Sequence, residues 1–189
     1  MSKSNWIKTV SRNDRQIKAP LMLPALNFPQ LQHNYHYSFK TLEEGSQLAV
    51  YLSSLYPKDC QKKVELGLNE LFINAIEHGN LGIGHQLKAK LKATHTWEQE
   101  IYNRLTNSAH ENKEVTVSLD ILPDRLVLQV TDQGDGFIWR EYFGNYNQSH
   151  SGMHGRGLMM VKELCFDHVT FSEKGNTVTC TIFGKHYLV

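Results

Sequence analysis

The sequence predicts a two-layer α/β sandwich, with helices on one face of a mixed, largely antiparallel sheet. Three observations predict it. Two amphipathic helical stretches lie within residues 41–78, an alternating apolar hairpin occupies residues 115–130, and a further helix from Gly157 leads into two more short strands. Elements that are each apolar on one side bury those sides most simply against one another, as a helix layer on a sheet. The 189 residues suit one domain with a core large enough to need neither disulfides nor a structural metal.

Residues 1–32 mix charges, three prolines and scattered apolar residues such as Leu21, Met22, Leu23 and Leu26 without a sustained period. They predict an irregular N-terminal arm before a domain at 33–189. Residues 35–39 pattern as a strand. Thr41 precedes Glu43 and Glu44, an acidic first turn that opens a helix to about residue 55, with Pro57 as its stop. A second helix is expected from about residue 60 to 78, ended by Gly79, the residue type favoured just past a helix end. Residues 80–112 are polar and partly helical, with Trp97, Ile101 and Leu105 recurring every fourth position, and read as an insertion. Val115, Val117, Leu119 and Ile121 then alternate, as do Leu126, Leu128 and Val130, about the turn signal Pro123-Asp124. A glycine-rich, aromatic segment over 134–155 leads to a helix with Leu158, Val161 and Leu164 on one side. Strands at 169–171 and 178–182 close the domain around Lys174-Gly175-Asn176.

Composition narrows the function classes. The net charge of +1 provides no broad field for nucleic acid or acidic membranes, so no direct nucleic-acid partner is expected. Cys60, Cys165 and Cys180 are odd in number and lack a CxxC pair, which argues against a disulfide framework or a zinc site and suits a reducing cytoplasm. No apolar run approaches the length of a membrane span. A cytosolic protein is expected.

Three motifs carry chemistry. On a helical wheel Val64, Leu68, Leu71, Phe72 and Ala75 share one arc, while Glu70, Asn74, Glu77 and His78 gather on a polar neighbouring one. Glu70 and Asn74, four apart, project together; an amide oxygen ligates a hard cation such as Mg²⁺, and a carboxylate beside it accepts a proton from an attacking hydroxyl. The second motif, Asp132-Gln133-Gly134-Asp135-Gly136-Phe137, follows an apolar strand; an Asp there can accept the exocyclic amine of adenine, and the glycines let backbone approach a flat base. The third, Gly152-Met153-His154-Gly155-Arg156-Gly157-Leu158, opens a helix, where backbone amides favour phosphate and Arg156 adds a charge-assisted contact. Taken singly, each has a plain structural reading: a solvated helix face, a hairpin turn, a capped loop. The loop does not read GxxxxGK[ST], and Trp139 stands where GxGxxG needs its third glycine, so P-loop and Rossmann readings are rejected.

In order along the chain, these motifs resemble the N, G1 and G2 boxes of the Bergerat (GHKL) ATP-binding superfamily, over residues 35–183. Within it, His78-Gly79 and the tail Glu173-Lys174-Gly175-Asn176-Thr177-Val178 are similar to those of the anti-sigma-factor serine kinases. The resemblance implies that Asn74 ligates a phosphate-bridging Mg²⁺, Glu70 is the general base and Asp132 binds adenine. It implies that Gly134, Gly136, Gly155 and Gly157 shape the pocket and lid, with Phe137, Arg156, Leu158 and Thr177 at the nucleotide. His78 lies near the phosphates or simply closes the helix. Residues from 138 to about 154–156 would be the ATP lid, less glycine-rich than the pattern and bearing Trp139, Tyr142, Phe143 and Tyr146; His150 and His154, four apart within it, lack the carboxylate of a metal site.

The implied function is transfer of the ATP γ-phosphoryl group to Ser or Thr of a small STAS-type anti-sigma-factor antagonist, with a sigma factor as a further partner and a homodimer as the assembly. Two alternatives remain at this stage: a nucleotide-gated module that sequesters a sigma factor or antagonist without transfer, and a detached histidine-kinase lobe. No dimerisation helix with a phosphorylatable His precedes the domain in the sequence, which argues against the last.

Overall fold

The sheet follows from the alternation of its strands. In the computed structural model, which describes residues 7–10, 33–56, 58–140 and 156–183, six strands run in the order β1-β2-β3-β4-β6-β5. They are β1 (Ile7–Val10), β2 (His33–Phe39), β3 (Val115–Ile121), β4 (Arg125–Thr131), β5 (His168–Phe171) and β6 (Thr177–Phe183). Every described pairing is antiparallel, so the parallel component of the expected mixed sheet is not found among the described residues. Val115, Val117, Leu119 and Ile121 are buried, and the last three pair with Val130, Leu128 and Leu126 of β4, which face the same side. The other face is polar, with Thr131 and Thr177 hydroxyls 3.1 Å apart across β4 and β6. One apolar face means one helix layer. Ile7–Val10, expected within an irregular arm, instead adds an edge strand to β2.

The helix layer begins with α1 (Leu42–Ser53). Thr41 caps it: its Oγ1 accepts the Glu44 N–H at 3.2 Å, and Glu44 Oε2 accepts the Thr41 N–H at 3.1 Å. Helix α2 (Lys58–Asn74) buries Val64, Leu68, Leu71 and Phe72, and the Phe72 ring lies 4.9 Å from that of Phe39 on β2. The chain does not stop at Gly79 as expected. It widens into a π-type turn over Ala75–Asn80, in which Leu81 N–H reaches back five residues to Ile76 O at 2.8 Å. Gly79 is inside that turn, and its small size serves an approach to β4 rather than a helix end.

The insertion forms α3 (His85–Ala93) and α4 (Trp97–Leu105), with Ile101 buried and Trp97 and Leu105 packed on the core. Arg104 Nη1 donates to Leu81 O at 2.6 Å, and Lys88 ion-pairs with Glu77, which is 0% exposed. Glu77 is therefore not on the solvated polar arc; the widened turn rotates it inward. Helix α5 (Arg156–Met160) likewise continues into a wide turn, Val161–Cys165. Val161 and Cys165 are buried there, whereas Leu164, expected beside Leu158 and Val161, is 67% exposed. At ~100° per residue Cys165 lies nearer the mean of Leu158 and Val161 than Leu164 does, and the core takes the nearer side chain. No helix among the described residues is long and apolar enough to cross a membrane.

Phe72 joins both layers and leaves no room for collapse if it is truncated. Phe72→Ala is expected to cost about 3–5 kcal/mol in urea unfolding, with an unchanged denaturant slope. A loss below 1 kcal/mol would mean that the helix–sheet contact is not the core of the domain.

Candidate functional site

One cleft of about 270 Å³ brings Glu70, Asn74, His78, Asp132, Gly136, Phe137, Gly157, Leu158 and Thr177 together. These residues are scattered over more than a hundred positions of sequence, and the layer contact unites them: α2 and its wide turn form one wall, the ends of β4 and β6 the other. Leu71, Ala75, Val130 and Val178 supply apolar surface between the walls. Flat apolar surface with a few convergent polar groups is the usual make-up of a small-molecule site.

At one end, Asn74 Nδ2 donates to Glu70 Oε1 at 3.0 Å. Four-residue spacing on α2 puts the two side chains over one another. With its nitrogen engaged, the amide presents its oxygen as the remaining acceptor. The Cα of Gly157 stands directly against the Glu70 carboxylate; a Cβ there would overlap Oε1 and Cδ. The opening of α5 thus packs onto the carboxylate itself.

At the other end, Asp132 follows β4. Its Oδ1 accepts the Gly134 N–H at 2.8 Å, and its main chain is clamped on both sides by Asn176, whose Nδ2 donates to Asp132 O at 3.0 Å and whose carbonyl accepts Asp132 N–H at 3.0 Å. Burial pushes the Asp132 carboxyl above its ordinary value, against the opposing pull of the Gly134 N–H and of Lys174 and Lys113. Lys174 Nζ in turn donates to Gly134 O at 2.9 Å. Gly134 does not line the cleft. It lies behind Asp132, where a Cβ would strike the backbone of Gly79, and Gly79 has no room for a Cβ against the Asp132 side chain. Gly136 has φ of +79° and passes so close to Lys174 that no side chain fits.

His78 stands between the two ends. Its Nδ1 pairs with Ile83 O, which assigns the proton to that nitrogen. Burial lowers its pKa, with Lys88 acting in the same direction, while the Ile83 hydrogen bond and Glu70 oppose. At neutral pH the imidazole is uncharged. Its ring lies 4.2 Å from that of His85, centroid to centroid, at 54° between planes.

Sequence reasoning missed several neighbours. Asn176 was visible as a turn residue and as part of the 173–178 tail but was given no role at the site, although its amide fixes the Asp132 main chain. Gly84, His85 and Phe171 also line the cleft. Asn80 Oδ1 accepts the Gln133 N–H at 2.7 Å, tying the wide turn to the β4 end. Only the asparagine's place beside a motif hinted at such a role. Gly155, His150, His154 and the lid from residue 141 on lie outside the described residues, as does the Arg156 side chain. The described lid root is aromatic: Trp139 stacks on Phe171 at 5.7 Å and donates from Nε1 to Ser172 O at 2.9 Å.

A family model described as a histidine kinase-like ATPase domain matches residues 47–182, a span that contains every residue assigned to this cleft. No curated protein matches the chain.

Two outcomes follow from the Asp132 end. Gly79→Ala is expected to displace Asp132 and to weaken nucleotide binding at least as much as Asp132→Asn; wild-type affinity in the alanine variant would contradict the contact. The ionised carboxylate is the form that accepts an amine, so acidification through its raised pKa removes binding. Calorimetric affinity for ADP is expected to fall on acidification, and to do so at a higher pH than an ordinary aspartate would set. The fall should be shallower in Asp132→Asn, and identical profiles would remove Asp132 from the site.

Proposed function

The chain belongs to the histidine kinase-like ATPase domain family, and on that premise we propose that it is an ATP-dependent protein serine/threonine kinase acting on a small STAS-type anti-sigma-factor antagonist. The observation that carries this reading is the Glu70–Asn74 hydrogen bond inside the cleft, with Gly157 against the carboxylate. A carboxylate hydrogen-bonded to an amide supports the assignment of Glu70 as base and Asn74 as metal ligand.

The donor set suits a hard cation: one neutral amide oxygen with a carboxylate alongside, leaving positions for phosphate oxygens and water. Mg²⁺ held there by Asn74 supplies charge that offsets what develops on the phosphates during transfer. Asp132 accepts the adenine amine and so sets the donor's register. Glu70 takes the proton of the acceptor Ser or Thr hydroxyl as that oxygen bonds to the γ-phosphorus. The bond from the γ-phosphorus to the bridging oxygen breaks, and ADP leaves. Support for the anti-sigma branch comes from His78-Gly79 and the 173–178 tail, which meet at the same point: Gly79 rests on Asp132 and Asn176 holds its backbone. A homodimer, a sigma factor as second partner and a cytoplasmic setting belong to the same proposal.

Glu70→Gln tests it. The variant is expected to bind Mg-ATP normally and to lose transfer of labelled phosphate to the antagonist by about 10²- to 10⁴-fold. Wild-type protein that binds the antagonist in a nucleotide-dependent way without forming phosphoprotein would replace the kinase by a nucleotide-gated binding module. Phosphate on histidine would return the histidine-kinase lobe.

A further inference from the structure

Resting on the reading of the cleft as a nucleotide site, we infer that Lys88 of the 80–112 insertion is a positioning residue: through the buried Glu77 it holds the wide turn that carries His78 and Gly79 into the cleft wall. Lys88 belongs to none of the three motifs, and neither it nor Glu77 is among the residues that line the cleft.

A π-type winding is rare in a chain left to itself. On a regular helix Glu77 would stand on the polar arc with Glu70 and Asn74; in the wide turn it is fully buried. A carboxylate taken out of water is tolerated only where a partner offsets its charge. Lys88 is that partner, and among the described residues neither Glu77 oxygen has a further hydrogen bond. The cation comes from α3, so the inward winding depends on the insertion whereas a regular winding would not.

Glu77 and His78 are consecutive, and Ile83 ties them together. Its N–H donates to Glu77 O at 2.7 Å, and its carbonyl accepts from His78 Nδ1. Ile83 is itself fully buried, so Nδ1 is turned to the interior and the ring, which lines the cleft, keeps Nε2 as an acceptor. One residue on, Gly79 lies against the Asp132 side chain. Helix α3 meets the same turn a second time, through the His85 ring on His78, three residues before Lys88 and on the same side of the helix. Lys88 thus acts on two cleft residues, His78 and Asp132, without reaching the ligand space. If the turn is released, only the fraction of molecules that keeps it is competent to bind, and the apparent affinity falls by that fraction.

A buried ion pair is often no more stable than neutral residues in its place, although one partner left alone is strongly destabilising. That difference separates positioning from plain support. The test compares wild type, Lys88→Met, Lys88→Arg and the double variant Glu77→Gln/Lys88→Met on the full chain, by melting temperature, by calorimetry of ADP and by nitrogen NMR of His78 at neutral pH. Wild type is expected to show the Nδ1–H tautomer; the Nε2–H tautomer or a charged ring overturns the placement even where no variant folds. Lys88→Met leaves a buried carboxylate unpaired and is expected to melt lower than wild type. The double variant, with no buried charge, is expected to recover the wild-type melting temperature yet to bind ADP about tenfold more weakly, as follows when about one molecule in ten keeps the turn. Its His78 signal is expected to move away from the Nδ1–H form. Lys88→Arg, which keeps the cation, is expected to bind as wild type does. Wild-type affinity in the double variant means that the pair is dispensable to the site, and a double variant that does not fold means that the pair holds the fold itself; either overturns the positioning role, as does an arginine variant as weak as the double one. Failure of the wild type to bind ADP is a different result: it overturns the nucleotide cleft, and the His78 tautomer across the variants then decides the role of Lys88 by itself.

Discussion

The contact between Gly79 and the Asp132–Gly134 segment is the constraint on which the site depends. The wide turn after α2 and the end of β4 come so close that neither Gly79 nor Gly134 can carry a side chain. Absence of two Cβ atoms lets a helix end and a strand end meet backbone to side chain, which is what glycine offers where chains must pass closely. Asp132 is then held from three directions, by Gly134 N–H, by the side-chain amide and the main-chain carbonyl of Asn176, and by the face of Gly79. A carboxylate fixed in this way costs little further ordering when a ligand arrives.

The same turn explains the placement of charge. A regular helix through Ala75–Asn80 would keep Glu77 and His78 on the polar arc with Glu70 and Asn74. The π-type winding instead buries Glu77, where Lys88 of the insertion compensates it, and leaves His78 in the cleft. Glu70 and Asn74, on regular helix just before the turn, keep their four-residue stacking and their hydrogen bond. The polar arc is thus divided in two, one half facing the ligand space and the other anchoring the insertion.

Much of this was legible from residues alone because it is local. The helix start marked by Thr41 and its acidic first turn, the alternation of β3 and β4 and the apolar arc of α2 are written in adjacent residues and appear where they were expected. The cleft residues were legible because three spaced motifs resemble one family's boxes. What escaped is tertiary. Nothing local marks a π-type turn, so Gly79 read as a helix end and Glu77 as a surface residue. Leu164 was assigned to the core side ahead of Cys165, although the helical angle favours Cys165, which is the one buried. The edge strand at Ile7–Val10 exists through pairing with β2, a partner that no pattern within those four residues can announce. Asn176 and His85 owe their places to contacts across the fold.

The most direct measurement is the purine selectivity of the wild-type protein, by calorimetric titration of Mg-ATP and Mg-GTP in parallel. Asp132 is proposed as the acceptor for the base, and adenine presents an amine where guanine presents a carbonyl oxygen. One ATP should bind per chain while GTP binds far more weakly, since two acceptors would face each other in a partly buried space. Equal affinity for the two nucleotides, or no binding of ATP, would contradict the assignment of this cleft.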